Sequence, residues 1–438
     1  MRTLIALLML LPSMVYAEYI CQGPCVAITP TVAPTATRTA TSTPTPAPLA
    51  RVINFTESQA IIGNPGIGFQ TTRKTKAQVS NPRNIPLLHA TFRTCMNTLN
   101  PSPGVFNWSE IDSFLTAASA QGQTVQLGVI AYDPYDCGGW LQSSIPGTLA
   151  YCTSENPGRT YFVPDWNQAR VQGAHRSFIQ AFAAKYNTDS RVDSVDLRSV
   201  GDYGEWHHSC IKVRSTNQPL PMPNSAAKLL IIKDYHDFFT NKPLVHIIDD
   251  DISRQEAVAR NAGWRADCWG GHHEDDLYPG WLSLPVDMRS LWERSAVDLE
   301  PCGALTSTSY MPLRSKVGEA IEKHASLINT KNGLTYSDAE WVEVQRLLKA
   351  LGYRIVVDSV TVAGGSLTIR LRNVGIAPNY KPIKIEAGAS SIEISRLMQQ
   401  ETRIVSLQAT TPTVLKFSID GRSLRTANIE WNEGLYIP

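Results

Sequence analysis

Two glutamates in this chain each come directly after an apolar, strand-like run. Glu205 lies in SVGDYGEWHHS (199–209), which follows RVDSVDLR, and Glu300 lies in SAVDLEPCG. A pair of carboxylates can divide proton transfer between them: one with a raised pKa donates a proton, and the ionised one acts as nucleophile or base. Cleavage of a glycosidic bond needs this division, at about 5–5.5 Å in a retaining site or about 6.5–9.5 Å in an inverting one.

Further polar and aromatic residues follow the same kind of run, or flank the two glutamates. An isolated glutamate at a strand end is more often structural than catalytic, so these neighbours matter. Arg265 and Asp267, two apart on one strand, either bind sugar hydroxyls at a barrel mouth or form a buried ion pair. We expect ligand contacts from Arg93, Tyr132, Asp133, Trp206, His207, His208, Asp249, Arg265, Asp267, Trp269 and Trp292.

Two acidic runs resemble metal sites, HHEDD at 272–276 and the triple acid at 249–251. Contiguous ligands rarely converge on one ion. The cysteines show no CxxC or Cys/His spacing of the kind that binds zinc. We therefore expect neither a metal nor a cofactor, and a metal-dependent hydrolase is the third-ranked interpretation.

Alternating strands and helices between residues 52 and 354 would position the two glutamates. Examples are the strand TVQLGVIAY, the amphipathic helix DWNQARVQGAHRSFIQAFAAKY and the strand VDSVDLRSV. Strands that are apolar on both faces indicate a parallel sheet covered by helices. About eight such units favour a (β/α)₈ TIM barrel, whose site lies at the C-terminal strand ends. By this count Glu205 follows strand four and Glu300 ends strand seven.

The pattern changes after residue 354. Short alternating strands with Gly, Asn and Pro turns, such as KPIKIEAG and TVLKFSIDG, predict a small antiparallel β-sandwich over 355–438. Such a domain either binds carbohydrate or braces the barrel, and the bracing role is favoured because exposed aromatic residues are few.

The N-terminal segment indicates export. Residues 1–17 have the charge, apolar run and small-residue cleavage site of a signal peptide, and residues 18–51 form a Thr/Pro-rich disordered linker. We expect a secreted or cell-envelope protein, tied to the envelope if the N-terminal segment is retained. The eight cysteines fit an oxidising compartment, with Cys21–Cys25 and Cys137–Cys152 as expected pairs. A net charge of +1 gives no reason to expect nucleic-acid binding.

An ordered set of motifs resembles clan-A-type glycoside hydrolases. NPGIGF at 64–69, FRTCMNTLNPSPGVFNWSEIDSF, GEW at 204–206, GWRADCWGG, LEPCG and LRNVGIAPNY are similar to an uncharacterised family of secreted barrels with a C-terminal β-sandwich. The resemblance spans about 52–438. It implies a TIM barrel with Glu205 as acid/base and Glu300 as nucleophile. The chain departs from the clan at Gly204, where an asparagine is usual, and at Asn100, where relatives tend to have an acid.

The leading hypothesis is therefore an exported, retaining glycoside hydrolase that acts on a poly- or oligosaccharide. The main alternative is a carbohydrate-binding or surface-attachment protein whose barrel has lost catalysis. The sequence predicts neither the sugar nor an oligomeric state.

Overall fold

Eight parallel strands close into a barrel in the part of the chain that the structure, a computed structural model, describes: residues 49–270, 284–307 and 311–438. In order around the barrel, with all strands numbered along the chain, these are β2 (Gly68–Thr72), β3 (His89–Cys95), β4 (Thr124–Ile130), β7 (Val192–Asp196), β9 (Leu244–Ile247), β10 (Gly263–Trp269), β11 (Val297–Pro301) and β12 (Leu327–Asn329). The predicted TIM barrel is confirmed, and β7 and β11 are its fourth and seventh strands.

Helices connect most of these strands and cover the barrel. In the helix at Ala169–Tyr186, for example, Val171, Phe178 and Phe182 recur at helical spacing and are buried. They give this helix an apolar face for packing. The first connection, residues 73–88, contains a short 3₁₀ turn (Lys76–Gln78) instead of an α-helix. The described helices are α1 (Met96–Leu99), α2 (Ser109–Ser119), α3 (Ala169–Tyr186), α4 (Ser225–Phe238), α5 (Asp251–Ala259), α6 (Val286–Arg289), α7 (Leu313–Glu322) and α8 (Asp338–Ala350).

The interior of the barrel is more polar than the sequence pattern predicts, because strands that are apolar on both faces would give an apolar interior. Gln126 of β4 donates from Nε2 to Asp298 Oδ2 of β11 at 3.1 Å, although the two strands are not neighbours. Arg265 of β10 lies 3.1 Å from Asp196 of β7 in the same way. These polar groups are tolerated inside because they are paired. Apolar residues of the strands pack together with helix residues in the surrounding core.

Two antiparallel sheets follow the barrel and enclose an apolar core, as predicted for the C-terminal segment. The first sheet has the order β1-β13-β14-β17, and the second has the order β16-β15-β18-β19 with β20 paired to β18. Their bounds are β1 (Arg51–Asn54), β13 (Ile355–Ala363), β14 (Ser366–Asn373), β15 (Ile383–Ala387), β16 (Ser390–Ile394), β17 (Thr402–Gln408), β18 (Thr413–Ile419), β19 (Arg422–Ser423) and β20 (Leu435–Ile437). Since β1 pairs with β13, residues 51–54 belong to this sheet and not to the linker or the barrel.

Disulfide bonds tie down the segments at the C-terminal ends of the barrel strands. A small antiparallel sheet, with the order β6-β5-β8, lies among these segments; its strands are β5 (Gly147–Cys152), β6 (Tyr161–Pro164) and β8 (Ile211–Val213). The three bonds in the described residues are Cys95–Cys137, Cys152–Cys210 and Cys268–Cys302. They are compatible with an extracellular protein.

The predicted Cys137–Cys152 pair is wrong. Cys137 is bonded to Cys95 at the end of β3, and Cys152 is bonded to Cys210, just before β8. Proximity in sequence is a poor guide here because the fold brings together residues 42 and 58 positions apart. The expected Cys21–Cys25 pair lies outside the described residues. Within the described ranges, no helix combines the length and apolar character needed to span a membrane.

The C-terminal sheets contact the barrel at the end where its strands begin. Arg422 of β19 donates to Thr124 Oγ1 at 3.0 Å, at the start of β4, and lies 3.3 Å from Asp193 of β7. Tyr380 donates to the carbonyl oxygen of Trp292 at 2.8 Å. Because TIM-barrel sites lie at the opposite end, these contacts brace the base of the barrel.

Asn373, at the end of β14, organises this junction. Its side chain is fully buried and makes four hydrogen bonds. Nδ2 donates to the carbonyl oxygens of Ala377 and Leu397 at 2.8 and 3.0 Å. Oδ1 accepts from the N–H groups of Arg354 and Gly375 at 2.8 and 3.0 Å. One amide therefore satisfies backbone groups from four positions.

Asn373→Ala should lower the free energy of unfolding by about 2–4 kcal/mol, because four buried backbone groups lose their partner. Urea denaturation measures the change. Asn432→Ala, at an exposed position, is the matched control and should change the free energy by less than about 0.5 kcal/mol. Equal stability of the Asn373→Ala variant and the wild type would contradict this account.

Candidate active site

Charged side chains from five barrel strands meet at the C-terminal end of the barrel. We call this set the charge cluster. Arg93 comes from β3, Arg265 and Asp267 from β10, and Glu300 from β11. Glu205 lies in the loop after β7, the strand that ends at Asp196. The complete cluster is Arg93, Asp196, Arg198, Glu205, Arg265, Asp267, Glu300 and Lys331.

One guanidinium contacts both predicted glutamates. Arg93 Nη1 lies 3.5 Å from Glu205 Oε1, and Arg93 Nη2 lies 3.0 Å from Glu300 Oε1. Arg198 also contacts both glutamates, at 3.2 Å from Glu205 and 3.7 Å from Glu300. Since each guanidinium is only a few ångströms wide, the two carboxylates face one small region at the barrel mouth.

Glu300 is held ionised. Burial by itself would raise the pKa of Glu300, but the charges of Arg93, Arg265, Lys331 and Arg198 outweigh it and lower the pKa to about 2. Arg265 Nη1 and Lys331 Nζ lie 3.5 and 3.4 Å from this carboxylate. Only 2% of the side chain is exposed. The result is a buried anion near neutral pH.

Glu205 is held ionised as well. Burial again opposes the charge, and the nearby His207 together with Arg198, Arg265 and Arg93 holds the pKa of Glu205 well below its usual range. His207 Nε2 lies 3.8 Å from Glu205 Oε2. The pKa of His207 is in turn raised: burial lowers it, but the Glu205 carboxylate and Asp249 raise it by more. Asp249 therefore acts on the site through His207.

Asp267 differs from both glutamates. Burial, with the negative charges of Glu205 and Glu300, raises the pKa of Asp267 to about 8, against the smaller effects of Arg265 and Lys331. The cation paired with it is Lys331, whose Nζ lies 3.8 Å from Oδ1. Of Glu205, Glu300 and Asp267, the two glutamates are therefore ionised and Asp267 keeps its proton at neutral pH.

The loop that carries Glu205 has an unusual backbone. Tyr203, Gly204 and Trp206 have positive φ angles of 55°, 72° and 57°. A bulky residue such as Trp206 rarely adopts this conformation, and such strain concentrates at functional sites. A Cβ atom on Gly204 would lie 2.2 Å from the carbonyl oxygen of Arg198. The asparagine that clan-A enzymes usually have at this position could not be accommodated in this backbone.

A chain of buried hydrogen bonds fixes the start of this loop. Ser199 Oγ lies 2.9 Å from His175 Nε2, and His175 Nδ1 lies 2.8 Å from Asp234 Oδ2. Ser199 Oγ also lies 2.8 Å from the Tyr235 hydroxyl. Although Ser, His and Asp are the residue types of a nucleophilic triad, Ser199 and His175 are only 1% and 0% exposed. The chain connects α3 and α4 to the loop and acts as a support.

The predicted ligand contacts of two tryptophans do not hold. Trp206 is 1% exposed and donates from its indole nitrogen to the Leu197 carbonyl at 2.6 Å. Trp269 is fully buried and donates to Glu319 Oε2 of α7 at 3.2 Å. Strand alternation would point Trp269 the same way as Asp267. An irregularity in β10 between positions 266 and 269, with Cys268 at φ 54°, turns it outward instead.

Trp292 lies at the wrong end of the barrel to contact a ligand at the charge cluster. It precedes β11, so it belongs to the N-terminal end of that strand, and its ring stacks on His324 at 3.6 Å between centroids. A residue that is near Glu300 in sequence is thus separated from it by the length of the strand.

Three other predicted residues support the site from behind. The Tyr132 hydroxyl accepts from the Gly201 N–H at 2.8 Å and lies 2.8 Å from His208 Nε2. His208 Nδ1 bonds to the Leu220 carbonyl at 2.9 Å, so both ring nitrogens are occupied. Asp133 Oδ1 accepts from the backbone N–H groups at 135 and 137, at 2.8 and 3.0 Å. Hydrogen bonding within the protein explains all three.

Sequence reasoning missed Asp196, Arg198 and Lys331. Arg198 follows β7 by two residues and Lys331 follows β12 by two, so the rule that selected Arg93 could have selected both. Asp196 is the last residue of β7, a strand that the sequence pattern predicts to be apolar on both faces. It pairs with Arg198 and with Arg265.

The acidic residues at 249–251 point to separate partners. Asp250 pairs with Lys228 and caps α5 by accepting from the Ser253 N–H at 2.9 Å. Asp251 pairs with Arg254 at 3.1 Å. Among the described residues no group of three or more His, Cys, Asp or Glu side chains is arranged to hold a metal. HHEDD at 272–276 lies outside the described residues.

Gly204→Ala should destabilise the protein more than a glycine replacement with equal backbone strain. Gly122 provides the control, because its φ is 73° and a Cβ there would meet nothing within 4 Å. We expect Gly122→Ala to cost about 1–2 kcal/mol from φ alone and Gly204→Ala a further 1–3 kcal/mol or so from the clash. Urea denaturation compares them. Equal losses would show that the loop relaxes without cost.

No family model matches the chain and no curated protein matches it, so the resemblance to the uncharacterised family of secreted barrels is not confirmed. Its structure is similar to endo-glycoceramidase II from Rhodococcus sp. at 10% identity and a TM-score of 0.38, covering 79% of this chain and 97% of that one. It is also similar to a beta-galactosidase from Marinomonas ef1 (13% identity, TM-score 0.40, 64% and 59% covered). A third similar structure is xylanase XynB from Paenibacillus barcinonensis (9%, 0.33, 60% and 67%). None of these likenesses decides what this chain acts on.

Proposed function

We propose that this protein is an exported glycoside hydrolase that cleaves glycosidic bonds in a poly- or oligosaccharide. The observation that carries the proposal is the shared guanidinium: Arg93 lies 3.0 Å from Glu300 and 3.5 Å from Glu205. Cleavage of a glycosidic bond needs an anion and a proton donor close together. Carboxyl groups that face one small region at the C-terminal end of a TIM barrel are suited to this reaction. Export is proposed from the N-terminal segment.

Glu300 is proposed as the nucleophile of a retaining reaction. A nucleophilic carboxylate must be ionised, and a pKa of about 2 ensures this over the whole physiological range. The surrounding cations weaken an anion as a nucleophile, but they also fix its position. Arg93, Arg265 and Lys331 orient the carboxylate, so little reorganisation is needed when it attacks.

The partly exposed members of the site are the proposed sugar contacts. Lys331 and His207 have side-chain exposures of 32% and 28%, and Arg93 has 14%. Their donors can bond to sugar hydroxyls while the deeper groups stay paired. Asp249 is a further candidate because it lies close enough to His207 to raise its pKa.

The salt-bridged state of both glutamates also favours a second candidate function. A pocket whose carboxylates are both ionised and neutralised resembles a binding site as much as a catalytic one. The alternative is therefore a carbohydrate-binding protein on a barrel without catalysis. It differs from the first proposal in one measurable respect, the release of sugar.

Glu300→Gln should reduce kcat by roughly 10³-fold or more on any glycoside that the wild type cleaves, since the amide cannot form the covalent intermediate. Reducing-sugar release from a glycan panel, followed by kinetics on the best substrate, measures the loss. Glu322→Gln, an exposed glutamate of α7, is the matched control and should retain wild-type rates.

Full turnover by the Glu300→Gln variant would exclude the two-carboxylate mechanism. If the wild type binds a glycan in calorimetry but releases no sugar from any member of the panel, the binding function holds instead.

A further inference from the structure

The group that carries the catalytic proton is not settled by the two glutamates. Each of them lies within 3.5 Å of a guanidinium: Glu205 near Arg198 and Arg93, Glu300 near Arg93 and Arg265. A carboxylate held by guanidinium groups is stabilised in its charged form and is a poor proton donor. A general acid must instead be a carboxyl group whose neutral form is favoured.

Asp267 is the third carboxyl group at the same barrel mouth. It ends the run Arg265–Asp267 on β10, next to β11, which carries Glu300. Lys331 Nζ lies between the two groups, 3.8 Å from Asp267 Oδ1 and 3.4 Å from Glu300 Oε1. The Cys268–Cys302 disulfide joins the ends of these two strands. Asp267 and Glu300 are therefore held in one rigid corner of the site.

In the part of the chain that the structure describes, few contacts stabilise Asp267 as an anion. Within residues 49–270, 284–307 and 311–438, Oδ1 is buried and has no hydrogen-bond partner. In the same ranges its ion-pair partner is an ammonium group at 3.8 Å, at the outer limit of a salt bridge. The side chain is 13% exposed, against 2% for Glu300, so it lies nearer the opening. Because Oδ1 itself is buried, a substrate oxygen would meet the partly exposed remainder of this side chain.

Within the described ranges, the charged groups with the largest effects on Asp267 come from several elements of the barrel. Glu205 after β7 and Glu300 on β11 favour its protonated form, as does burial. Arg265 on β10, Lys331 after β12 and Arg93 on β3 oppose them. The balance leaves a pKa of about 8. Asp298 also has a raised pKa, but it lies two residues deeper on β11, is 1% exposed and accepts from Gln126.

We propose that Asp267, and not Glu205, is the acid/base group of the reaction, an inference that rests on the proposed glycoside hydrolase function. Asp267 gives its proton to the glycosidic oxygen as the bond to the anomeric carbon breaks and the carboxylate of Glu300 forms a bond to that carbon. The Asp267 carboxylate then takes a proton from water, whose oxygen displaces Glu300. One water is consumed, and both carboxyl groups return to their starting forms. Glu205 is a positioning residue whose negative charge keeps the proton on Asp267.

Asp267→Asn tests this with two substrates that differ in their leaving group. On a glycoside with an alkyl or sugar leaving group, the variant should lose roughly 10²–10⁴-fold in rate. On a 2,4-dinitrophenyl glycoside of the same sugar, whose leaving group needs no proton, bond cleavage should be far less affected. Azide, which attacks the glycosyl-enzyme without a base, should restore turnover and yield a glycosyl azide. Asp420→Asn is the matched control, an Asp at φ 49° with a half-exposed side chain.

The pH dependence separates Asp267 from Glu205. An acid must be protonated to act, so the wild-type rate should fall as pH rises through about 8. If Glu205 were the acid, the rate would already decline at pH values below the usual glutamate pKa, because the pKa of Glu205 is lowered. Glu205→Gln removes a negative charge that favours the protonated form of Asp267, so it should move the alkaline limb of the pH–rate profile to lower pH.

A measurement without turnover completes the test. Difference infrared spectra between the wild type and Asp267→Asn at pH 7 should contain one protonated carboxyl band that Asp420→Asn does not remove. Absence of that band from the difference spectrum, or equal rate losses on both leaving groups in Asp267→Asn, overturns the role of Asp267 while the wild type still hydrolyses glycosides. If the wild type hydrolyses neither substrate class, the proposed function fails and this role fails with it.

Discussion

The structure depends on charge compensation in the barrel interior. Arg198 and Arg265 have side chains that are only 2% exposed, so each needs an anion close by. Asp196 serves both, and Glu205 and Glu300 complete the set. Removing one partner of a buried ion pair leaves the other charge uncompensated, which costs several kcal/mol. A change of one member therefore leaves its partners less well compensated, and the positions of the two glutamates follow from the positions of the arginines.

The same constraint determines which positions must be glycine. Arg198 needs room between β4 and its own loop: a Cβ on Gly128 of β4 would lie 2.9 Å from its Cδ, and a Cβ on Gly204 would lie 2.7 Å from its Cβ. Gly204 also has φ of 72°, which disfavours any other residue. Gly204, at which the chain departs from clan-A enzymes, therefore has a local cause. The backbone there accommodates a buried guanidinium, and Glu205 is placed as a result.

Much of the fold and part of the site could be predicted from the residues. Period and turn signals indicated about eight strand–helix units, in agreement with the eight-stranded barrel, and the rule that sites follow strands selected Glu205, Glu300, Arg93, Arg265 and Asp267. The rule failed where the chain leaves regular geometry. The irregular end of β10 turns Trp269 outward. Burial of Trp206 needs a positive φ that its residue type does not suggest. The disulfide of Cys137 depends on which loops meet in space.

The division of roles among the three carboxyl groups could not be predicted in the same way. Glu205, Asp267 and Glu300 look alike in sequence, each an acid beside an apolar run. What separates them is the number of guanidinium groups within reach, and those groups come from β3, β7 and β10. Two glutamates held as anions raise the cost of a third charge nearby, so the ionisation of Glu205 and Glu300 and the protonation of Asp267 have one cause. Any change that neutralises one glutamate should therefore alter the acidity of Asp267, even without touching it.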